Sequence, residues 1–444
     1  MDYNEMNIEA RDLNQQGIIL AKSGNFEKAI DKFMKAIDIE PMLVDSYKNL
    51  GDLYLHLEKY EEAKSSLKKA LLIEKNGEIY FQYGNACFMN DEPHEGLEYY
   101  NLALTSGYDN DEMLFFMGMA YEHLQDDKMA LRYFQKAINK NPSRADYQIK
   151  KISALLRLNM LEEAREAIDR LLVTDPELYD GYHIKTSLLL SEKKFDEAIE
   201  HSKMAADKFP EDADLLFDYA NAVTMSGDYE KALKILEYAE QLKYYEEAIS
   251  KFLLLGAEIY AEKGDMDKAI DRCDECIKLE TKDELFAEAR FMRINLALTI
   301  PDFETALKHS EVIINYGIHN SYYYAALYYR PFCQKKLGRI EEANANYKEA
   351  ISLYRLSTLD DPTAIDAYLY RSMCLKELEK YDEALEMLEF IENLNNKVAE
   401  IYTLRADIYN ITNRQTLAKE ELEKAYVIKP ELRKAFENEE GGEA

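Results

Sequence analysis

EKAIDKFMKAIDIEP, residues Glu27–Pro41, returns further along the chain as KMALRYFQKAINKNP, residues Lys128–Pro142. Both stretches place alanine and an aromatic four residues apart (Ala29 and Phe33, Ala130 and Phe134) and both stop at proline. Four residues is one helical turn, so each pair lies on one face of a helix. Proline cannot continue that helix but suits the first turn of the next.

Following the alanine along the chain gives Ala29, Ala63, Gly96, Ala130, Ala164, Ala198, Ala232, Ala269, Ala306, Ala343, Ala384 and Ala418, with steps of 34, 33, 34, 34, 34, 34, 37, 37, 37, 41 and 34. Ahead of each lies another helical pattern, as in Tyr47, Gly51 and Tyr54 or Leu114, Gly118 and Tyr121, spaced i, i+4, i+7. Turn residues separate the two, as in SGNF (Ser23–Phe26) and SGDY (Ser226–Tyr229). A fixed period near 34 marks a tandem array of helical hairpins. The small residue lets two helices approach closely, and the aromatic fills the space beside it.

YKNLGDLY (Tyr47–Tyr54) followed by AIDKFMKAIDIEP-like second helices resembles the tetratricopeptide repeat, with Tyr47 where tryptophan is usual. Twelve repeats cover about residues 10 to 432. The resemblance implies an all-α, right-handed superhelical solenoid of antiparallel helix pairs. Its first helices line a concave groove that holds partner peptides. Ile152 and Thr186 stand where the small residue is expected, and Pro331 falls inside a first helix. Steps of 37 and 41 predict longer helices late in the chain. We therefore expect a regular arm over 1–243, a less regular arm over 244–436 joined at KYYEE (Lys243–Glu247), and an acidic mobile tail over 437–444.

The 444 residues are 47% apolar and 32% charged, a folded rather than a disordered composition. Lysine and arginine total 55 against 85 acids, a net charge of −30. That field repels nucleic acid and anionic lipid, steers cationic partners inward, and also serves solubility. The N-terminus lacks the apolar core of a signal peptide, and the longest apolar runs are short, as in FLLLGA (Phe252–Ala257). No membrane insertion is expected. Five unevenly spaced cysteines point to a reducing, cytoplasmic setting.

Candidate binding residues lie on the inward face of the first helices, one residue beyond the packed ones. They are Phe81, Asn85, Phe88 and Met89; Phe115 and Met119; Phe217 and Asn221; Phe291 and Asn295; and Tyr328 and Phe332. Three helices repeat Phe-x3-Asn. A phenylalanine on a rigid helix can anchor an apolar side chain, and an asparagine amide can both donate to and accept from a peptide backbone. The alternative is that the rings pack internally or against a second copy. Nine first helices begin with an acid: Asp45, Glu78, Glu112, Asp146, Asp180, Asp214, Glu288, Asp366 and Glu400. The helix dipole explains acids there, at about 0.3–1 kcal/mol each. Aligned, they would also form a rim suited to basic residues beside apolar ones. Relatives that hold a chaperone's C-terminal carboxylate use inward Lys, Asn and Arg from three neighbouring repeats. Here Lys48, Asp52, Glu78, Phe81 and Gln82 do not supply that set.

Cys273 and Cys276 form a lone C-x2-C in second-helix core slots, and Cys87 fills a core slot of a first helix, so packing explains them better than metal. His56, His123 and His183 fall on the inward face without a metal-binding spacing. No phosphate loop or nucleophile elbow occurs. The expectation is a non-catalytic scaffold, with no cofactor and no metal, that binds a protein or peptide carrying basic and apolar residues. A self-assembling scaffold and a two-armed peptide receptor are the alternatives, and the oligomeric state stays open.

Overall fold

The computed structural model describes residues 3–242, 245–279, 284–317, 320–395, 397–430 and 432–433. The tail 437–444 and part of the KYYEE junction lie outside them. The described residues form 24 α-helices and no strand. In order they are α1 (Tyr3–Lys22), α2 (Phe26–Ile39), α3 (Val44–His56), α4 (Tyr60–Ile73), α5 (Gly77–Met89), α6 (Pro93–Thr105), α7 (Asp111–His123), α8 (Asp127–Lys140), α9 (Ala145–Arg157), α10 (Leu161–Thr174), α11 (Tyr179–Ser191) and α12 (Phe195–Lys208). The rest are α13 (Ala213–Met225), α14 (Tyr229–Ala239), α15 (Tyr245–Glu262), α16 (Met266–Lys278), α17 (Glu284–Thr299), α18 (Phe303–Asn315), α19 (Tyr323–Lys336), α20 (Ile340–Asp360), α21 (Ile365–Glu377), α22 (Tyr381–Leu394), α23 (Ala399–Ile411) and α24 (Gln415–Ile428). Contacts divide them into two compact units, residues 1–205 and 206–444.

One hairpin shows how the sequence makes the unit. In α8 the buried positions Ala130, Tyr133, Phe134, Ala137 and Ile138 recur at i, i+3, i+4, i+7 and i+8, a single apolar stripe. Asp126 caps its start, its carboxylate accepting from the Met129 amide at 3.0 Å. The preceding turn puts Gln125 at φ +59° and lets the Asp126 amide donate to the Tyr121 carbonyl at 2.9 Å. That left-handed residue followed by a backward bond ends α7 and reverses the chain. The same register position is left-handed at Gly24, Glu58, Asp91, Asn159, Lys193, Gly227, Gly264, Gly338, Glu379 and Asn413.

In four hairpins of the first unit two positions sixteen residues apart set the helix separation. A Cβ on Gly118 would lie 2.5 Å from Phe134, one on Gly17 2.6 Å from Phe33, one on Gly51 2.5 Å from Leu67 and one on Gly84 2.7 Å from Tyr100. In two hairpins a larger first residue stands with a serine, Thr186 with Ser202 and Ile294 with Ser310, whereas Ile152 stands with Ile168, all buried. Pro331 occupies this same register in α19, sixteen residues before the buried Tyr347. The helices α15, α17 and α20 run to 18, 16 and 21 residues, against 13 or 14 in most of the others.

Within each unit the first helices also touch in succession, α1 on α3, α3 on α5 and α5 on α7, then α13 on α15, α15 on α17, α19 on α21 and α21 on α23. They make a layer of their own, and the candidate residues belong to it.

Candidate functional site

In the first unit the structure gathers Phe81, Phe88 and Phe115 around a ring the spacing argument passed over, Phe116 of α7. Its centroid lies 6.2 Å from Phe81, 6.3 Å from Phe88 and 6.1 Å from Phe115. Phe116 stands beside the predicted Phe115 and bridges to the preceding repeat. The cluster mixes tilted and edge contacts at these separations, an arrangement that favours aromatic pairs. Phe88, Phe115, Phe116 and Met119 are half-buried, and Met89 is 45% exposed.

Phe81 departs from the expectation of an open ring. It is 6% exposed, stacked on Tyr108 at 5.6 Å and packed near Tyr100 at 6.1 Å, so it is core. The α6–α7 connection supplies Tyr108, a neighbour that spacing along α5 cannot reveal. Phe115 has one face covered as well, stacked on Tyr147 of α9 at 4.5 Å. Asn85 is not a free backbone clamp, because its amide oxygen accepts from the Tyr100 hydroxyl at 2.7 Å. Tyr100 stands in the register of Phe33 and Phe134 and is fully buried, so its hydroxyl needs an internal partner.

In the second unit Phe291 stacks on Tyr322 at 4.9 Å and meets Tyr329 at 6.1 Å. Tyr329 in turn lies 5.4 Å from Tyr328, which reaches Phe332 at 5.8 Å. Tyr329 is the bridging ring here, as Phe116 is in the first unit. Tyr328 is 4% exposed, with Tyr347 and Tyr370 close, so it too belongs to the core rather than the open face. Burial carries its hydroxyl far above the ordinary tyrosine range. Phe332 stays half-buried with the Lys336 ammonium 5.5 Å from its centroid. Phe217 meets Phe252 edge-on at 5.6 Å, apart from the Phe291 group. Asn221 is half-buried and Asn295 exposed.

The acids at first-helix starts are partly spent on neighbours. Glu78 accepts from Lys48 at 2.9 Å, Asp146 from Arg144 at 2.6 Å, Asp214 from Lys251 at 2.5 Å and Glu400 from Lys429 at 2.5 Å. The Arg144 guanidinium accordingly holds the Asp146 carboxyl below the usual carboxylate range. Asp45, Glu112 and Asp366 are exposed.

All five cysteines are buried free thiols. Cys87, Glu92 and Glu95 each bring a ligand atom within 4.8 Å of the others. The Lys64 ammonium already pairs with Glu92 and lies 3.9 Å from Glu95, and the Tyr83 hydroxyl donates to Glu95 at 3.3 Å. Burial pushes the Cys87 thiol up to about 12. The lysine supplies the positive charge this cluster needs, and the thiol is held protonated, a poor metal ligand. The C-x2-C thiols are core as well, and burial pushes Cys273 up to about 12.

Sequence profiles described as tetratricopeptide repeat match residues 13–41, 44–76, 117–179, 189–242 and 399–432. The Hsp70-Hsp90 organizing protein 1 of Glycine max is 23% identical over 59% of this chain, and the match spans 40% of that protein's length. A TPR repeat-containing protein of Methanocaldococcus jannaschii is 24% identical over 84% of the chain and 62% of its own length. The crystal structure of yeast Tom70 superposes with a TM-score of 0.51 at 14% identity, covering 96% of this chain and 99% of that one.

Proposed function

Because the chain belongs to the tetratricopeptide repeat family, we propose that it is a non-catalytic scaffold that holds segments of partner polypeptides against the layer built by its first helices. The observation that carries this reading is the half-buried run of Phe88, Phe115 and Phe116 with Met89 and Met119 across two neighbouring repeats. Rings and thioethers on a rigid layer offer apolar area that a partner's side chains can cover, and methionine adapts to varied shapes. In the second unit Phe291 takes the register of Phe115, and Asn295 and Phe332 take that of Met119. A relative named for organizing Hsp70 and Hsp90 acts on other proteins, which supports a protein ligand here.

From the change in repeat length we propose two arms, 1–243 and 244–436, the second carrying the long helices α15, α17 and α20; the compact units divide earlier, at 205/206. No helix among the described residues is long and apolar enough to cross a membrane. Five free, buried thiols suit a reducing compartment such as the cytoplasm.

The test is affinity capture from the native cell, followed by binding measurements on each captured protein with variants of the full chain. Phe88→Ser with Phe116→Ser should weaken binding at least about tenfold, the loss of one or two anchors. Leu102→Ser, on an exposed position of the second helix α6, should leave it unchanged. Equal affinity for all three proteins would refute the assignment of the binding face.

A further inference from the structure

The first two hairpins border an open pocket of about 400 Å³ between the end of α1, α2 and α3. That volume lies within the range of ligand pockets, roughly 300–1,000 Å³. Ile18, Phe33 and Leu53 give it an apolar wall, and Asn49, Asp52 and His56 give it polar groups. The His56 ring stands edge-on to Phe26 at 5.3 Å and fixes one side of the opening.

Asp52 is the unusual member. It comes one helical turn after Lys48, yet Lys48 is taken by Glu78 at 2.9 Å. Lys22 borders the pocket from α1 and is exposed. Among the described residues Asp52 makes no hydrogen bond and no ion pair. Asp52 is itself exposed at the pocket mouth, and the protein packed beside it raises its carboxyl above the ordinary range, opposed by His56; Glu78 adds to the rise and Lys48 lowers it. An unpaired carboxylate beside an apolar wall is the complement of a side chain with a long aliphatic stem and a cationic end.

We propose that this pocket receives a lysine or arginine side chain of the partner polypeptide, its stem on Ile18, Phe33 and Leu53 and its cationic group on Asp52. The inference rests on the binding reading above and gives that partner a basic residue. Asn49 is not spare for this role, because its amide donates to Asn14 at 3.1 Å and so holds the wall in place. The net charge of −30 draws such a residue toward the chain, and Asp52 decides where it docks.

The experiment selects a randomised twelve-residue peptide library on the intact protein and on its Asp52→Asn variant, then measures the enriched peptides and copies with norleucine in place of each lysine. Asp52→Asn keeps the shape and removes the charge. The proposal expects peptides with a basic residue at a fixed distance from apolar ones. The norleucine copy should bind at least about tenfold more weakly to the intact protein and equally to the variant, the scale of a charge-assisted hydrogen bond. Enriched peptides without a fixed basic position, or an unchanged lysine preference on the variant, would overturn the pocket and leave the binding layer standing. No enrichment on either protein would overturn both.

Discussion

Glycine-to-alanine substitutions at Gly118 and Gly256 should move stability in opposite directions. Both residues sit inside first helices, α7 and α15, where alanine gains about 1 kcal/mol over glycine in helix propensity. At Gly256 the nearest atoms to a new Cβ are Leu236 at 3.5 Å and Arg272 at 3.8 Å, ordinary van der Waals contact. The gain should survive nearly whole. At Gly118 the Cβ meets two ring atoms of Phe134 at 2.5 Å. Phe134 is fully buried against Ala130, Ala154 and Phe115, so the ring has nowhere to go. Overpacking of this kind costs roughly 1–3 kcal/mol. Gly118→Ala should therefore lose up to about 2 kcal/mol and Gly256→Ala should gain about 0.5–1 kcal/mol. For units of about 200 residues, 1 kcal/mol is roughly 2–4 °C in Tm. Thermal melts of the full chain would read the sign. Hydrogen exchange over 111–140 and 245–278 would locate it, since repeat arrays need not unfold in one step. If both variants gain stability, the close packing at Gly118 is wrong. As a further check, Gly118→Ile with Phe134→Ser copies the Ile294 and Ser310 pair. The double variant should be less damaged than the sum of its parts by about 1 kcal/mol or more.

Asn85→Ala should cost about 1–3 kcal/mol by stranding the buried Tyr100 hydroxyl. Adding Tyr100→Phe should restore most of it, and urea denaturation of the cycle would decide; independent losses would show that the bond contributes nothing. Glu58→Gly removes a side chain from a φ of +57° and should raise Tm by an amount equivalent to roughly 0.5–1 kcal/mol, whereas a fall would contradict the left-handed turn. His309 is 7% exposed, and burial, with Arg290, Arg293 and Lys308 opposing a second charge and Asp302 favouring one, lowers it from 6.5 to about 4. Between those values the unfolded chain binds the extra proton, so stability should fall as pH drops from 6.5 toward 4, by on the order of 1–2 kcal/mol at pH 5. The difference in Tm between the intact protein and His309→Gln should shrink on going from pH 7.5 to pH 5; a constant difference would refute the assignment.

The fold was legible because a hairpin repeat writes its helix faces many times over. Ala29 and its equivalents are buried from Ala63 to Ala418, and all twelve pairs of helices follow that register. The departures were harder to interpret. Thr186 stands where a smaller residue is expected, and the small Ser202 sixteen positions further on gives it room, while Ile152 stands with the equally bulky Ile168. The candidate face was legible only in part. Spacing along α5 and α19 gives the direction of Phe81 and Tyr328, but not Tyr108 or Tyr370, which cover them from other elements. Phe116 and Tyr329 were missed because they follow the predicted residue directly and point between repeats. Asn85 matched Asn221 and Asn295 in pattern, while the register of the Tyr100 that claims it holds Leu236 and Ser310 in their hairpins.

The sixteen-residue pairing also bears on how such a chain can change through time. Since both members sit in one hairpin, a recombination that moves a whole hairpin carries its fit along, and the recipient meets no clash inside the new cassette. A crossover between Gly118 and Phe134 would instead join strangers, a ring facing Thr186 or a serine facing Gly118. Viable mosaics of this protein should have their seams in the connections between hairpins, and shuffled libraries cut there should yield folded chains far more often than libraries cut within the turns.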